Sequence, residues 1–529
     1  MTSSCAALES LRLNSADALL ALEVATFETG RTIAMILRPE SREQVQECVR
    51  AANIDGIPLY PISTGKNWGY GSSVPTADNC ALLDLSRMNR IVDFDERLGY
   101  VTVEPGVTQR QLFSFLAENK SNLWMDATGS SPDCSLIGNI VERGFGHTPY
   151  GDHFANVCGL EVVLPNGEIL NTGFAGHPGA KAAATYRWGA GPSLDGLFSQ
   201  SNLGIVTRMT IWLMPAPEYF QAYFFQADNE DSLACFIEAL RPLRMNGTLR
   251  STVHIANDYK VLNGIQQFPE GEGKPLSSAA IRRFRKTLKF GRWNGSGALY
   301  GTRPQVAEAR RLLRRALGSQ VTKLRFLDDR SLAFAARFTR PYRWLTGMDL
   351  SKTLALVRPV FGLMKGEPTQ ALLASAYWRK TTPPPPDPDP DRDRCGLIWC
   401  SPIAPADGES VTELVIIAEG TLLECGFEPM ISLTMITERS VACVISIAYD
   451  REINGEDHKA MECYRQLQGR LTSHGFYPYR LGIQSMNLLD SDTARASFLS
   501  ALKNSIDPNN ILAPGRYIGA TATDGNRGK

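Results

Sequence analysis

A glycine-rich turn set behind an apolar segment restricts this chain more than any other feature. Ile57-Pro58-Leu59-Tyr60 reads as a buried strand, and Pro61 to Ser72, PISTGKNWGYGS, follows with three glycines and a lysine. Glycine lets the backbone turn sharply and bring its N–H groups close to an anion, so the stretch reads as a phosphate-cradling loop. It matches neither GxGxxG nor GxxxxGK[ST], so neither a dinucleotide-binding Rossmann turn nor a Walker loop is implied. An ordinary glycine turn between strands is the competing reading. Upstream, Ser41-Arg42-Glu43-Gln44 has the form of a capping box, and Val45, Val49 and Ala52 continue at helical spacing. Helix, strand and loop in that order predict an α/β opening.

A chain of 529 residues exceeds what one hydrophobic core supports, so two or three domains are expected. Lysine plus arginine (55) equals aspartate plus glutamate (55), which disfavours a nucleic-acid footprint or an anionic-membrane surface and favours a small-molecule partner. No apolar run approaches a membrane span, and MTSSCAALESLRLNSADALL lacks the basic and apolar regions of a secretory signal. Eleven cysteines without CxxC spacing argue against a disulfide framework or a zinc module, and a reduced cytoplasmic setting is expected. Six histidines without HExxH or another ligand pattern disfavour metal catalysis.

Beyond the loop, Ala81 to Leu85, Arg90 to Phe94 and Tyr100 to Glu104 read as short strands, and Thr108 with Gln111 caps a helix bearing Leu112, Phe115 and Leu116. Ile137 to Phe154, IGNIVERGFGHTPYGDHF, is expected to run as irregular backbone. Leu160 to Leu164 and Glu168 to Leu170 predict a hairpin closed by Asn166-Gly167 as a type I′ turn. Gly189 to Met214 combines glycine turns with an apolar strand and closes a first domain at Pro215-Ala216-Pro217. Arginine-rich helices such as Ile281 to Arg292 and Val306 to Leu317 mark a second. Thr381 to Asp393, TTPPPPDPDPDRD, reads as an extended, exposed polyproline spacer, with an SH3-type ligand as the alternative. Leu414 to Gly426 reads as helix, Met430 to Tyr449 as paired strands, Asp457 to His474 as helix, and a last helix ends at Asp507-Pro508.

Taken together, PISTGKNWGYGS, VEPGVT, GNIVERGFGHTPYGDHF, DGLFSQSNLGIVT, AYWRK, YPYRLG and DPNNILAPG resemble the flavoprotein family of vanillyl-alcohol oxidase, eugenol oxidase and the flavoprotein subunit of 4-cresol dehydrogenase. The match spans nearly the whole chain after about residue 35. The resemblance implies an α+β fold: a two-part FAD-binding domain (1–217 and 476–529) with an inserted α+β cap, or substrate, domain (218–475). It implies FAD held by Ser63, Thr64, Gly65, Lys66, Asn67, Gly71 and Ser72, with the backbone N–H groups on the pyrophosphate. Lys66 is either a point charge there or a solvated surface lysine. Further cofactor contacts fall on Pro132, Gly138, Asn139, Glu142, Gly146, Tyr150, Gly151, Asp152, Gly204, Ile205, Val206, Cys443, Arg480 and Arg516.

By the same resemblance Tyr70, Tyr479 and Arg480 surround a substrate's phenolic oxygen. A permanent cation and two phenol donors lower a substrate phenol's pKa, and the phenolate pushes electron density toward the para carbon. The implied reaction is benzylic oxidation of a para-substituted phenol by hydride transfer to flavin N5 through a quinone methide. Asp152 falls near N5, as a base or a partner of the flavin's charge. Dioxygen or a cytochrome is the implied acceptor, and a homo-oligomer the implied assembly.

Two positions depart from the pattern. Relatives that join the flavin covalently use a cap histidine or tyrosine where this chain has Ala442 or Cys443, and Asn67 stands where distant flavoprotein oxidases place another linking histidine. Noncovalent FAD is therefore expected, with Cys443 as the one weak linking candidate and a small buried hydrophobe as its alternative. His147 replaces a usual tyrosine, as an altered substrate contact, a proton carrier, or a histidine satisfied by nearby backbone. A non-phenolic alcohol, hydroxy acid or specialised metabolite as substrate, and a flavin-binding protein without turnover, are the alternative functions.

Overall fold

The computed structural model describes residues 11–13, 15–337, 350–491 and 493–519; the first ten residues, read above for a leader, lie outside them. The opening forms as expected. Ser41 caps the helix Arg42–Asp55 by accepting from Gln44 N, while the Gln44 side chain returns to the N–H of Glu40, one residue before the cap. Gly56 ends the helix at φ 66°, and strand Leu59–Ile62 enters the loop. That strand lies parallel to Cys80–Asp84, which lies parallel to Ile33–Leu37, in a four-stranded sheet. A second, antiparallel sheet of five strands follows, ordered Ile91–Asp95, Tyr100–Val103, Ile205–Trp212, Val157–Val163, Ile169–Asn171.

Two local expectations change. Residues 137–154 are not irregular throughout: Ser135 accepts from Gly138 N and caps the short helix Leu136–Val141 before the chain loosens. The hairpin forms, with Val163 opposite Ile169, but not through a type I′ turn. Gly167 N donates to Leu164 O, so Pro165 and Asn166 occupy the centre and only Gly167 has positive φ (82°). Proline's ring holds φ negative, which a type I′ turn forbids.

An eight-stranded sheet has Lys323–Leu327 at one end of its order and Cys395–Cys400 at the other, and its two faces differ. Phe225, Ile255, Leu433, Cys443, Ile445 and Cys400 point into one large apolar core, packed under helices such as Ser232–Met245, Gly408–Glu424 and Glu456–Ser473. Strand alternation turns Ser296, His254, Thr434 and Ala442, which lie in one register row, to the opposite face. The edge strand Cys395–Cys400 meets the glycine loop: Trp399 N donates to Gly69 O at 3.2 Å. The chain's end then returns to the first sheet, where Leu59 N donates to Ile511 O and Ala513 N to Leu59 O. The ten described cysteines are unpaired, and no described helix is long and apolar enough to cross a membrane.

Candidate active site

The glycine loop presents unengaged donors. The N–H groups of Ser63, Thr64, Gly65, Lys66 and Gly71 meet no acceptor among the described residues, whereas those of Asn67 and Ser72 are committed to Gly65 O and Asn67 O within the loop. The N–H groups of Asn67 and Ser72, expected to face the pyrophosphate, are thus taken up within the loop, and their side chains meet Arg480 and Asp391. Gly65 has φ 71°, and a Cβ there would collide with Ser73 Oγ. Lys66 is paired, with Nζ 3.5 Å from Asp389 and 5.0 Å from the Trp68 ring centroid, and 25% of its side chain stays accessible. Ser72 Oγ donates to Asp391 at 2.8 Å. The proline-rich segment thus has no helix or strand, as expected, but it docks on the loop instead of running free.

Behind the loop lies a buried charge cluster. Arg480 Nη2 donates to Asn67 Oδ1 at 2.5 Å, its guanidinium sits 4.4 Å from the Tyr70 ring centroid, and its Nε is 3.4 Å from Glu142. Glu142 also accepts from Arg516 Nη2 and Tyr517 OH, each at 2.6 Å. Burial opposes ionisation of Glu142, but the two arginines outweigh it and hold its carboxyl below the usual range. Burial likewise opposes the charge on Arg480, and Glu142 outweighs it. Two guanidiniums against one carboxylate leave one positive charge in excess. Tyr70 and Tyr479 are pushed up by burial, which the guanidinium only partly offsets, so both remain O–H donors at neutral pH. Tyr70 OH lies 2.7 Å from Ser401 Oγ, which sits at the end of the strand carrying Trp399.

A third group joins the two halves. Asp126 is buried and accepts from His147 N, Thr148 N, Thr148 Oγ and His153 Nε2. It holds the turn bearing Tyr150, Gly151 and Asp152, and a side chain at Gly146 would collide with it. The His147 ring stacks on His254 at 4.2 Å, and burial lowers both pKa values. His147 Nδ1 faces the Ala127 carbonyl, which can only accept, so Nδ1 carries the proton and Nε2 is a bare acceptor. Thr252 donates to Gly146 O and so receives His254 Nε2–H, leaving His254 Nδ1 to accept from Thr434.

The other expected residues divide. Arg516 and Glu142 belong to the charge cluster, while Asn139 orients His153 at 2.6 Å and Gly138 leaves room for Ser63. Tyr150 packs toward Phe220, and Asp152 caps the turn at Ala155 N. Pro132 offers its carbonyl to Arg110 N. Gly204 abuts Val162, Ile205 points into the core and Val206 pairs with Val162, so all three support the sheet beneath the site. Cys443 is corrected: its side chain lies in the packed core, on the face away from His254, while Ala442 shares the row of His254 and Thr434. Sequence reasoning missed Ser401, Trp399, Asp126, His254 and Lys260. Only a helical stripe of polar residues, Lys260, Asn263 and Gln267, could have signalled the last.

These residues fit FAD. Unengaged amides on Ser63–Lys66 and Gly71 suit a pyrophosphate, and among the described residues the buried Arg516 Nη1 has no hydrogen-bond partner, while Arg480 Nε has only the ion pair with Glu142. Residues 33–173 match a family described as the FAD binding domain. The chain is 46% identical over 502 residues to the 1'-carboxy-chondrochloren decarboxylase of Chondromyces crocatus, covering 94% of this chain and 92% of that protein. It is 32% identical over 480 residues to the 4-cresol dehydrogenase (hydroxylating) flavoprotein subunit of Pseudomonas putida, covering 90% and 85%. The fold matches a crystal structure of p-cresol methylhydroxylase with substrate bound, at TM-score 0.87 and 30% identity, over 99% of this chain and 96% of that one. Fold, charge cluster and relatives agree: this chain belongs to the vanillyl-alcohol oxidase and 4-cresol dehydrogenase family and is an FAD-dependent oxidoreductase.

Proposed function

We propose that the protein oxidises para-substituted phenols at the benzylic carbon. The carrying observation is the uncompensated positive charge of Arg480, Arg516 and Glu142 beside two phenols that stay protonated. That arrangement suits a substrate phenolate, with Arg480 as its counter-ion and Tyr70 and Tyr479 as donors to its oxygen. Asn67 and Glu142 fix the guanidinium, and Ser401 fixes the Tyr70 hydroxyl. When bound, FAD supplies the oxidant, taking a hydride from the benzylic carbon and leaving a quinone methide. Asp152 is the base for water or product. Noncovalent attachment is supported by Cys443 lying in the core and Ala442 having no reactive atom on the facing side.

The 46% identical relative favours an extended reading, oxidative decarboxylation. If the para chain carries a carboxylate on the carbon next to the benzylic one, the quinone methide can release CO2. The electron pair of the broken C–C bond forms the side-chain double bond and restores the phenolate ring, so one hydride leaves and one CO2 leaves. Both readings share the first step. Anaerobic mixing with a panel of 4-alkylphenols and 4-hydroxyphenyl alkanoates should bleach the flavin, and air should restore the colour if dioxygen is the acceptor; a cytochrome acceptor leaves it bleached. A flavin that no phenol bleaches would sink the proposal. Acid-precipitated protein should be colourless, with the flavin in the supernatant.

A further inference from the structure

Half-buried Lys260 differs from the two buried lysines of the described chain. Lys380 lies 3.0 Å from Asp450 and Lys503 2.5 Å from Asp507, but no carboxylate or hydrogen-bond acceptor meets Lys260 Nζ among the described residues. Its one recorded neighbour is the Trp399 ring, 5.4 Å from Nζ to centroid. Its helix, Asp258–Ile265, shows how unusual that is. On the same helical stripe, Asn263 donates to Ser375 O, and beyond the helix Gln267 donates to Tyr377 O, Lys380 O and Thr382 O. Two positions of the stripe are satisfied by main chain, and the charged one is not.

Lys260 is half-buried beside the Trp399 ring. Protein surrounds it closely enough that desolvation alone brings its pKa down to about 8, yet the residue keeps accessible surface. Arg480 and Glu142 share this property, enclosed but with 12% and 17% of their side chains accessible. Trp399 connects the two places. Lys260 stands over its ring, Gly69 abuts its edge so closely that a Cβ would collide, and Tyr70 is the next residue, with its hydroxyl on Ser401 two positions after Trp399. A partly desolvated cation without a counter-ion gains from an anion that arrives beside it.

We propose that Lys260 is a substrate-binding residue that pairs with a carboxylate on the substrate's para chain, making the preferred substrates 4-hydroxyphenyl alkanoates. The assignment rests on the phenol reading of the same chamber. It makes the chamber two-ended, with the phenolate at Arg480 and the carboxylate at Lys260.

The test uses the FAD-loaded protein and two probes that differ only at the chain end, 3-(4-hydroxyphenyl)propanoate and 4-propylphenol. Dissociation constants come from anaerobic difference spectra, and flavin reduction is followed separately. The native protein should bind the carboxylate probe at least tenfold more tightly, and Lys260→Met should lower that ratio at least tenfold, with Lys260→Arg restoring part of it. The ratio cancels general damage to the chamber. Equal affinities in the native protein would overturn the assignment even if the variants fail to fold, and so would a ratio that Lys260→Met leaves unchanged. If neither probe reduces the flavin but the carboxylate probe binds in a Lys260-dependent way, benzylic oxidation falls and the carboxylate site stands.

Discussion

The interior holds two kinds of cation. Arg480 and Arg516 share Glu142, Asn67 and the Tyr70 ring hold Arg480, and the Tyr517 ring lies against Arg516, so their charge is fixed in place before any ligand arrives. Lys260 has an indole face and nothing ionic. A guanidinium stays charged at any physiological pH and holds a planar partner in register, whereas an ammonium whose pKa burial has lowered holds its charge less firmly and gains most from an incoming anion. The first arrangement preorganises a reaction, because its charges do not need to move as negative charge develops. The second selects among substrates that the first would accept equally.

Removing the shared carboxylate should break this contrast most severely. Glu142→Gln leaves two buried guanidiniums without a counter-charge, and losing one partner of a buried pair costs about 3–5 kcal/mol. We expect lower stability in denaturant titration and loss of FAD on gel filtration; a variant that keeps both would mean the arginines are compensated elsewhere. Arg480→Ala acts on chemistry first. It should weaken phenol binding and slow anaerobic reduction together, by at least a hundredfold in their ratio, and an unchanged reduction rate would remove the phenolate mechanism. Tyr70→Phe is milder. It deletes one donor and the contact to Ser401 while the ring still stacks on Arg480, so reduction should slow about tenfold with FAD content nearly intact.

How much of this was legible depended on whether a feature was contiguous. The strand, the glycine loop and the YPYRLG trio lie in short runs whose spacing survives folding, and the structure brings Tyr70, Tyr479 and Arg480 together. The linking position was ambiguous because strand side chains alternate: one residue of register decides between Ala442, beside Thr434, and Cys443, in the core. Ser401 and Trp399 carry no local signal, since their roles come from a strand meeting a loop 331 residues away in sequence at the Tyr70–Ser401 contact. The proline-rich segment shows the opposite limit. Its composition correctly excludes helix and sheet, but composition does not say that Asp389 and Asp391 will find Lys66 and Ser72.

That segment supplies a buried acid to set beside the two cations, and the smallest expected effect. Burial raises the Asp391 carboxyl to about 7, with Asp389 adding to the shift and the Ser72 hydrogen bond opposing it. In the unfolded chain an aspartate titrates near 3.9. A folded-state value raised above the unfolded one means that the folded state holds the proton more tightly. Stability from this group is therefore present below pH 4, declines as pH rises toward about 7, and is level above it. Docking of residues 387–393 on the glycine loop should loosen over that window. Hydrogen exchange of the segment, corrected for the intrinsic pH dependence of exchange, should accelerate severalfold between pH 5 and pH 8 and stay level in Asp391→Asn, which cannot ionise. An equal acceleration in both would show that Asp391 does not control the contact. Because Lys66–Asp389 remains in the variant, the segment should stay docked, and FAD content should change little.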